Sequence, residues 1–185
     1  MAKVPGGLVR LPDAGTRMVL SFMLDVRPVS NGDWLMFMQA TGVAAPPWMF
    51  RKGWQDKDQP VVGVTQPEAL AFARWARKSL PSEAQWQRAV GPATYPWGER
   101  EPSTMHAVYG RRPGKGQLPP MPDGALRASG AGPYGHCDLV GNVWERLTDG
   151  VARGGFWGSP DPRSVLRLAL GSEERSAGIG LRCCR

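Results

Sequence analysis

The first hydrophobic pattern in the chain is that of a helix face. In the segment that starts at Ser30, Trp34 and Phe37 stand three residues apart, a spacing that places two side chains on one side of a helix. Ser30 precedes them as a residue suited to cap a helix. Gly42 follows as a residue that readily adopts the left-handed conformation of a helix end. The pattern predicts a helix between these two residues.

Two further helices are indicated by paired polar residues placed before apolar stretches. Thr65 and Glu68 form a T-x-x-E sequence, and Ser82 and Gln85 form an S-x-x-Q sequence. In such a capping box each side chain accepts a hydrogen bond from the other residue's backbone, which satisfies amides that the first helical turn leaves unpaired. We expect one helix to follow each box.

The other apolar runs are short and are typical of strands. Residues 9–30 contain runs broken by Pro and Gly and predict one or two strands. Residues 151–157 and 178–184 predict a strand at each end of the carboxy-terminal region. The stretch around Trp144 fits either a strand or a short helical turn. From Gly91 to Gly135 we expect long ordered loops held by Tyr95, Trp97 and Tyr134.

Composition supports one loop-rich domain over residues 1–185. The chain has 24 glycines, 18 prolines and eight tryptophans, and 42% of its residues are hydrophobic. A domain of this length buries roughly 70% of its unfolded surface. No apolar run reaches the ~18 residues that span a bilayer. With no secretion signal recognisable at the amino terminus, a cytoplasmic or a virion- or surface-associated location is expected.

Charge and cysteine content exclude several classes of function. The net charge is +7, but the arginines are scattered, so we expect no nucleic-acid partner. The three cysteines, Cys137, Cys183 and Cys184, fit neither a disulfide framework nor a zinc site. We expect Cys183 and Cys184 to be buried packing residues.

Seven short motifs follow one another along the chain: VRPVSNGDWLMFMQATG, QPVVGVTQPEALAFARWA, LPSEAQWQRAV, YPWGE, GPYGHCDLVGNVWERLTD, ARGGFW and IGLRC. Their order resembles that of the formylglycine-generating enzyme, or sulfatase-modifying factor, domain. The resemblance covers about residues 18 to 183. It implies an α+β domain with the C-type lectin fold, which has two main helices, an antiparallel sheet and long ordered loops.

The catalytic residues of that family are not matched. The family's enzyme oxidises a substrate cysteine with copper(I) held by two of its own cysteines, which lie between GGSW-like and GFR-like signatures. Here residues 158–178 fill that interval and contain no cysteine. We therefore expect no catalysis, no cofactor and no metal. The resemblance leaves open a calcium site at Asn142 and Glu145, but we favour a Glu145 carboxylate that accepts hydrogen bonds from backbone amides.

A second branch of the fold resembles the chain more closely, namely the variable proteins of diversity-generating retroelements. Their variable region opens near RGGSW, passes a segment like RSAxR and closes with IGFR; the counterparts here are RGGFW, RSVLR and IGLR, within about residues 153–182. In that family, mutated codons cannot encode Lys, Glu, Gln, Met or Trp. Among residues 158–178 only Glu173 and Glu174 break that rule.

This second resemblance implies a non-catalytic protein whose carboxy-terminal surface binds a protein or cell-surface ligand. Alternatives are a copper oxidase of the formylglycine-generating type and a degenerate scaffold protein of the same family. Trp157, Arg163, Arg167, Arg175 and Arg182 are expected to hold the variable region in place. The leucines in the candidate set could instead alternate on a buried strand. The candidate ligand-binding positions are Phe156, Gly158, Ser159, Asp161, Leu166, Leu168, Leu170, Gly171, Ser176, Ala177 and Gly178.

Overall fold

The fold is a mixed α+β domain, as the sequence predicts. The computed structural model describes residues 1–11, 14–112, 120–121 and 128–185. Within these ranges the elements are β1 Ala2–Val4, β2 Gly7–Leu11, β3 Gly15–Val19, β4 Phe22–Leu24, α1 Asn31–Thr41, α2 Gln66–Trp75, α3 Glu83–Val90, a 3₁₀ helix Ala128–Gly130, β5 Trp144–Arg146, β6 Val151–Arg153, β7 Arg167–Ala169 and β8 Ile179–Leu181.

Helix α1 begins and ends where its sequence predicts. The Ser30 hydroxyl accepts a hydrogen bond from the Asp33 backbone amide at 3.1 Å, and the Asp33 carboxylate accepts one from the Ser30 amide at 3.0 Å. At the other end Gly42 has a φ of 73° and donates its amide to the carbonyl of Met38. Both predicted caps are confirmed.

The two predicted capping boxes are also present. Thr65 accepts from the Glu68 amide at 3.3 Å while Glu68 accepts from the Thr65 amide at 2.8 Å. Ser82 and Gln85 make the same reciprocal pair at 3.2 and 2.9 Å. Helices α2 and α3 therefore begin directly after Thr65 and Ser82.

The amino-terminal region forms two small antiparallel sheets, β1 with β4 and β2 with β3. Residues 9–30 therefore contain most of β2 and all of β3 and β4, so the prediction of one or two strands is wrong. Only Leu20 and Ser21 separate β3 from β4. This short break inside a continuous apolar run explains why the pattern reads as a single element.

The carboxy-terminal sheet has the strand order β7-β6-β5-β8. Its pairings are antiparallel except for β5 with β8, which is parallel. Trp144 thus lies in a strand and not in a helical turn, and the two predicted terminal strands are present as β6 and β8. Strand β7 is an edge strand at the alternating leucines, where the sequence left a buried strand open as one alternative; the strand is present, but Leu168 in it is half-buried.

Aromatic rings fill the core next to α1 and α2. Trp34 stacks on Phe72 with ring centroids 5.2 Å apart, and Phe37 meets both rings edge-on. Cys183 packs in the same cluster, whereas Cys184 packs in the cluster around α3 and the amino-terminal strands. Burial raises the pKa of Cys183 to about 12 and that of Cys184 to about 11. Both are buried packing thiols, as predicted.

Aromatic contacts also hold the loops that follow α3. Tyr95 stacks on Trp97 with ring centroids 5.1 Å apart, and Trp97 stacks on His106 at 4.9 Å. The Arg88 guanidinium lies 5.3 Å from the ring centre of Tyr134. The three aromatic anchors expected from the sequence therefore all make ring contacts. No helix in the described ranges is long and apolar enough to cross a membrane.

Candidate ligand-binding surface

The candidate surface is built by residues 154–178, here called the carboxy-terminal segment, which connect β6 to β8. The segment leaves the sheet at Gly154, returns as the edge strand β7, and leaves again before β8. Much of the stretch 160–176 is exposed or half-buried. The segment is thus a surface loop that leaves the carboxy-terminal sheet at the central strand β6 and rejoins it at β8, the edge strand opposite β7.

Arg153 fixes the first half of the segment to helix α3. Its guanidinium is fully buried and donates to the Glu83 carboxylate at 2.6 Å, the Gln87 side-chain oxygen at 2.6 Å and the Ser164 carbonyl at 2.8 Å. The same group lies 5.1 Å from the ring centre of Trp86. A forked, planar donor set suits such simultaneous contacts. This anchor was missed at the sequence level because it depends on α3, 70 residues earlier.

Arg167 and Arg175 hold the second half, as expected. Arg167 pairs with Glu83 at 2.9 Å. Arg175 makes two 2.7 Å bonds to the Glu68 carboxylate and donates to the Gly63 carbonyl at 2.6 Å. Burial alone would raise the pKa of Glu68, but hydrogen bonds from Arg175 and Thr65 outweigh it and keep the pKa below its ordinary value.

Arg163 does not have the anchoring role that the sequence suggested. Its guanidinium bonds Asp161, two residues earlier, at 2.6 Å, and both side chains are partly exposed. A pair of this kind contributes little to stability because water screens it. Arg163 is therefore a surface cation on the segment.

Trp157 anchors the start of the segment through its buried ring and a backbone hydrogen bond. Its ring is buried, and its backbone amide donates to the Asn142 carbonyl at 3.0 Å. Next to it Gly154 has a φ of 93°, and a Cβ there would lie 2.5 Å from the Leu139 carbonyl oxygen. In the RGGFW sequence, Gly154 thus lets the backbone pass close to the Leu139 carbonyl, and Trp157 supplies a large buried ring.

A buried ion pair underlies the sheet that carries the segment. The Arg182 guanidinium bonds the Glu145 carboxylate at 2.7 Å and also donates to the carbonyls of Asp25, Val26 and Cys137. None of these partners lies in the carboxy-terminal segment, so the hydrogen bonds of Arg182 hold the sheet and neighbouring loops and not the segment as expected. Burial raises the pKa of Glu145, although the Arg182 charge opposes that effect.

The arrangement around Glu145 does not match either role expected for this residue. Its carboxylate accepts from Arg182 and from the Trp86 indole N–H at 2.9 Å, so its partners are side chains and not backbone amides. Asn142 uses its side-chain amide on the backbone of Met121. The described residues include no group of three or more His, Cys, Asp or Glu side chains placed to hold a metal ion.

The structure divides the candidate positions into two groups. Gly171 is exposed, and most of the others are half-buried, so their side chains are partly open to solvent. The expectation of exposure is wrong for Ser159, Ala177 and Gly178, which are buried. The half-buried positions are Phe156, Gly158, Asp161, Leu166, Leu168, Leu170 and Ser176.

The three buried positions have specific structural reasons. The Ser159 hydroxyl accepts a bond from the Phe156 amide at 3.0 Å. Ala177 packs in a small cluster with Trp54 and other apolar side chains. Gly178 accepts a bond from the Trp144 amide at 2.8 Å, which joins the segment to β5.

Phe156 covers two of the candidate glycines. A Cβ on Gly158 would lie 2.8 Å from the Phe156 ring, and a Cβ on Gly178 would lie 2.6 Å from it. Side chains at these positions therefore require Phe156 to move. The three positions form one coupled group and cannot vary independently.

The leucines alternate along the edge strand. Leu166, Leu168 and Leu170 are half-buried, whereas the residues between them are exposed. Their burial is therefore intermediate between the two alternatives that the sequence left open, an exposed surface and a buried strand. Val165 is 58% exposed and was not among the candidates; the alternation with Leu166 was the signal that could have identified it.

Among known protein families, the sulfatase-modifying factor enzyme 1-like domain matches this chain over residues 2–185. The formylglycine-generating enzyme of Mycobacterium tuberculosis is 35% identical over 162 residues, which cover 78% of this chain and 48% of that protein. The hercynine oxygenase of the same organism is 32% identical over 70% of this chain and 38% of its own length. A mouse protein named inactive C-alpha-formylglycine-generating enzyme 2 is 32% identical over 67% of this chain and 48% of its own length. The chain thus spans about half, or less, of these relatives.

Solved structures share the fold over the entire chain. PvdO from Pseudomonas aeruginosa superposes with a TM-score of 0.76 at 22% identity, covering 99% of this chain and 92% of that one. Treponema denticola variable protein 1 superposes with a TM-score of 0.73 at 15% identity, covering 100% of this chain and 94% of that one. The expected α+β fold of this structural group is confirmed.

Proposed function

Because the chain belongs to the family of sulfatase-modifying factor enzyme 1-like domains, we propose that it is a non-catalytic member that binds a macromolecular ligand through its carboxy-terminal segment. We further propose that a diversity-generating retroelement varies the exposed part of that segment. The expected partner is a protein or a cell-surface ligand.

One observation carries this proposal. The segment is held by Arg153, Arg175 and the buried Trp157, whose bonds go to helices α2 and α3 and to loop backbone. Apart from Arg167 and Arg175, the side chains of residues 160–176 that face solvent take little part in those contacts. Exposed positions away from caps and cores usually change stability little when they are substituted. A surface built this way can change its side chains and keep its backbone.

The structural comparison is consistent with such a role. A protein named as variable shares the fold along nearly its entire length, and we take this likeness as support for a variable surface in this chain. Because sequence identity to it is only 15%, the shared feature is the fold, and the role in this chain is inferred from the segment.

An enzymatic alternative is favoured by the identity to catalytic relatives. The formylglycine-generating enzyme of M. tuberculosis is 35% identical to this chain. If the chain were a copper oxidase, it would bind copper(I) and oxidise the cysteine of a sulfatase-derived peptide. The residues that soft copper(I) prefers are thiolates, and Cys183 and Cys184 hold their protons because burial raises their pKa. We expect no peptide oxidation, and turnover would overturn the non-catalytic proposal.

The retroelement is tested by the DNA around the gene. We expect a downstream near-copy of codons 153–182 that differs at adenines, together with a reverse-transcriptase gene. Where the copy differs, the changed codons should encode the exposed or half-buried residues, and those for Trp157, Ala177 and Ile179 should be unchanged. A flanking region with no such copy would leave the scaffold role as the better explanation.

A further inference from the structure

A cleft of about 690 Å³ opens between the amino-terminal hairpin and the carboxy-terminal segment. One wall is strand β2, the floor is the end of α3 with residues 91–94, and the other wall is formed by residues 163–165. None of the eleven candidate variable positions lines it. The cleft therefore lies beside those positions, although its wall at residues 163–165 belongs to the carboxy-terminal segment on which the proposed function rests.

The walls of the cleft are apolar and unusually open. Leu8 is 68% exposed on one wall and Val165 is 58% exposed on the other. Met18 pairs directly across from Leu8 in the hairpin and is 67% exposed, so it extends the apolar wall outward. The alternate residues Val9 and Val19 are buried against α3. Exposed apolar side chains grouped in this way usually mark a partner site.

The charges around the cleft have one sign. The described residues that line it include Arg10, Arg88 and Arg163 and no Asp or Glu. Arg163 is paired with Asp161 just outside the lining, but that pair is largely exposed, and an incoming carboxylate can exchange with such a weak partner. Arg88 is held in place by the Tyr134 hydroxyl and the Gly6 carbonyl.

We propose that this cleft binds an acidic, apolar peptide segment of a partner protein. Carboxylates would meet the arginines, whose forks suit them, and apolar side chains would pack between Leu8 and Val165. A second copy of this chain is a poor occupant because each copy carries a net charge of +7, which opposes self-association at a cationic face.

Retention of peptide pools on the immobilised full chain tests this assignment. The probe pool consists of peptides of about eight residues that alternate Asp or Glu with Leu or Phe. One comparison pool replaces the acidic residues by Lys, and the other replaces the apolar residues by Ser. We expect the acidic, apolar pool to be retained about tenfold more strongly than either, a difference typical of one or two good contacts.

Substitutions locate the binding site. The double variant Arg10→Gln with Arg163→Gln should weaken retention about tenfold, and Leu8→Asn with Val165→Asn should do the same. The matched control is Arg74→Gln with Lys52→Gln, which removes two exposed charges outside the cleft and should leave retention within about twofold. Because all these side chains are at least partly exposed, thermal unfolding can verify that every variant is folded.

Four results would overturn the proposal. The first is failure to retain the acidic, apolar pool, and the second is equal retention of the acidic serine pool. The third is a loss of peptide retention in the control variant that equals the loss in the double variant Arg10→Gln with Arg163→Gln. The fourth is a different occupant of the cleft, seen either as a concentration-dependent dimer that Leu8→Asn abolishes or as displacement of the peptides by oligo(dT). A missing downstream gene copy would refute the retroelement without changing any of these measurements.

Discussion

At the scale of single residues, the buried arginines in the described part of the chain are each held by several partners. Arg182 is fully buried and bonds a carboxylate and three backbone carbonyls. Arg146, beneath the segment, donates to the Val64 carbonyl at 3.0 Å and also bonds the Glu174 carbonyl. Such groups are costly to bury alone, so each is a fixed point from which neighbouring loops take their position.

Removing one member of the central pair should destabilise the fold strongly. Arg182→Met would leave the Glu145 carboxylate buried without its cation, and we expect a loss of about 3–5 kcal/mol in the free energy of unfolding. Urea unfolding measures it. The control Arg163→Met, at an exposed position, should cost less than about 0.5 kcal/mol. A loss below about 1 kcal/mol for Arg182→Met would contradict the structural role assigned to the pair.

His136 should make stability depend on pH. Burial, together with the nearby Arg182 charge, lowers its pKa from 6.5 to about 4. The unfolded chain therefore binds a proton more readily than the folded one, so this group's contribution is complete above pH 6.5 and is lost as pH falls toward 4. We expect the wild type to lose about 2 kcal/mol over that range relative to His136→Asn. Parallel stability curves for the two proteins would refute this.

Glu68, which bonds the segment's anchor Arg175, should give stability a second dependence on pH. Its pKa is lowered in the folded state, so its contribution is present above its unfolded pKa and is lost as pH falls through the lowered value. The stability difference between wild type and Glu68→Gln, followed by thermal unfolding from pH 7 to pH 3, should shrink on acidification. A difference that stays constant would mean that Arg175 does not depend on this carboxylate.

At the scale of elements, sequence predicted what is local and missed what is distant. The three helices were predictable because each cap consists of residues no more than three apart, such as Ser82 with Gln85. Strand β7 has three residues and pairs with β6, next to the bonds that join Arg153 and Arg167 to Glu83 at the start of α3. Local periodicity does not contain that information.

The same difference between local and distant contacts explains why the burial of three candidate positions was not predicted. Ser159 and Ala177 look like loop residues in the sequence, and Gly178 stands at the start of a predicted strand; no local pattern indicates that the three are buried. Ala177 is buried by Trp54 and its neighbours, more than 100 residues away along the chain. By contrast, the alternation of Leu166, Leu168 and Leu170 was a local signal for a strand, and a strand is present there, although the leucines are half-buried and not buried.

The capping boxes allow a test at the element scale. Thr65→Ala removes the oxygen that accepts the Glu68 amide, and we expect a loss of about 1 kcal/mol in the free energy of unfolding. Ser21→Ala, at an exposed residue between β3 and β4, is the matched control and should be nearly neutral. Equal effects of both substitutions would show that the cap does not stabilise α2.

At the scale of the whole molecule, stability and recognition are assigned to different parts. The aromatic core, the capped helices and the Glu145–Arg182 pair lie apart from the solvent-facing side chains of residues 160–176. Arg153 and Arg175 join the two parts through the backbone and the framework of the segment. This separation is the central claim, since it is what would allow a surface to change without loss of the fold.

Simultaneous substitution tests that claim most directly. A variant with Asp161→Asn, Leu168→Thr, Gly171→Ser and Ser176→Thr should lose less than about 2 kcal/mol in the free energy of unfolding by urea, because accessible positions each contribute little. The control Ala177→Asn, which buries one polar group in the Trp54 cluster, should lose at least about 2 kcal/mol alone. A fourfold variant that loses more than the control, or does not fold, would contradict the account.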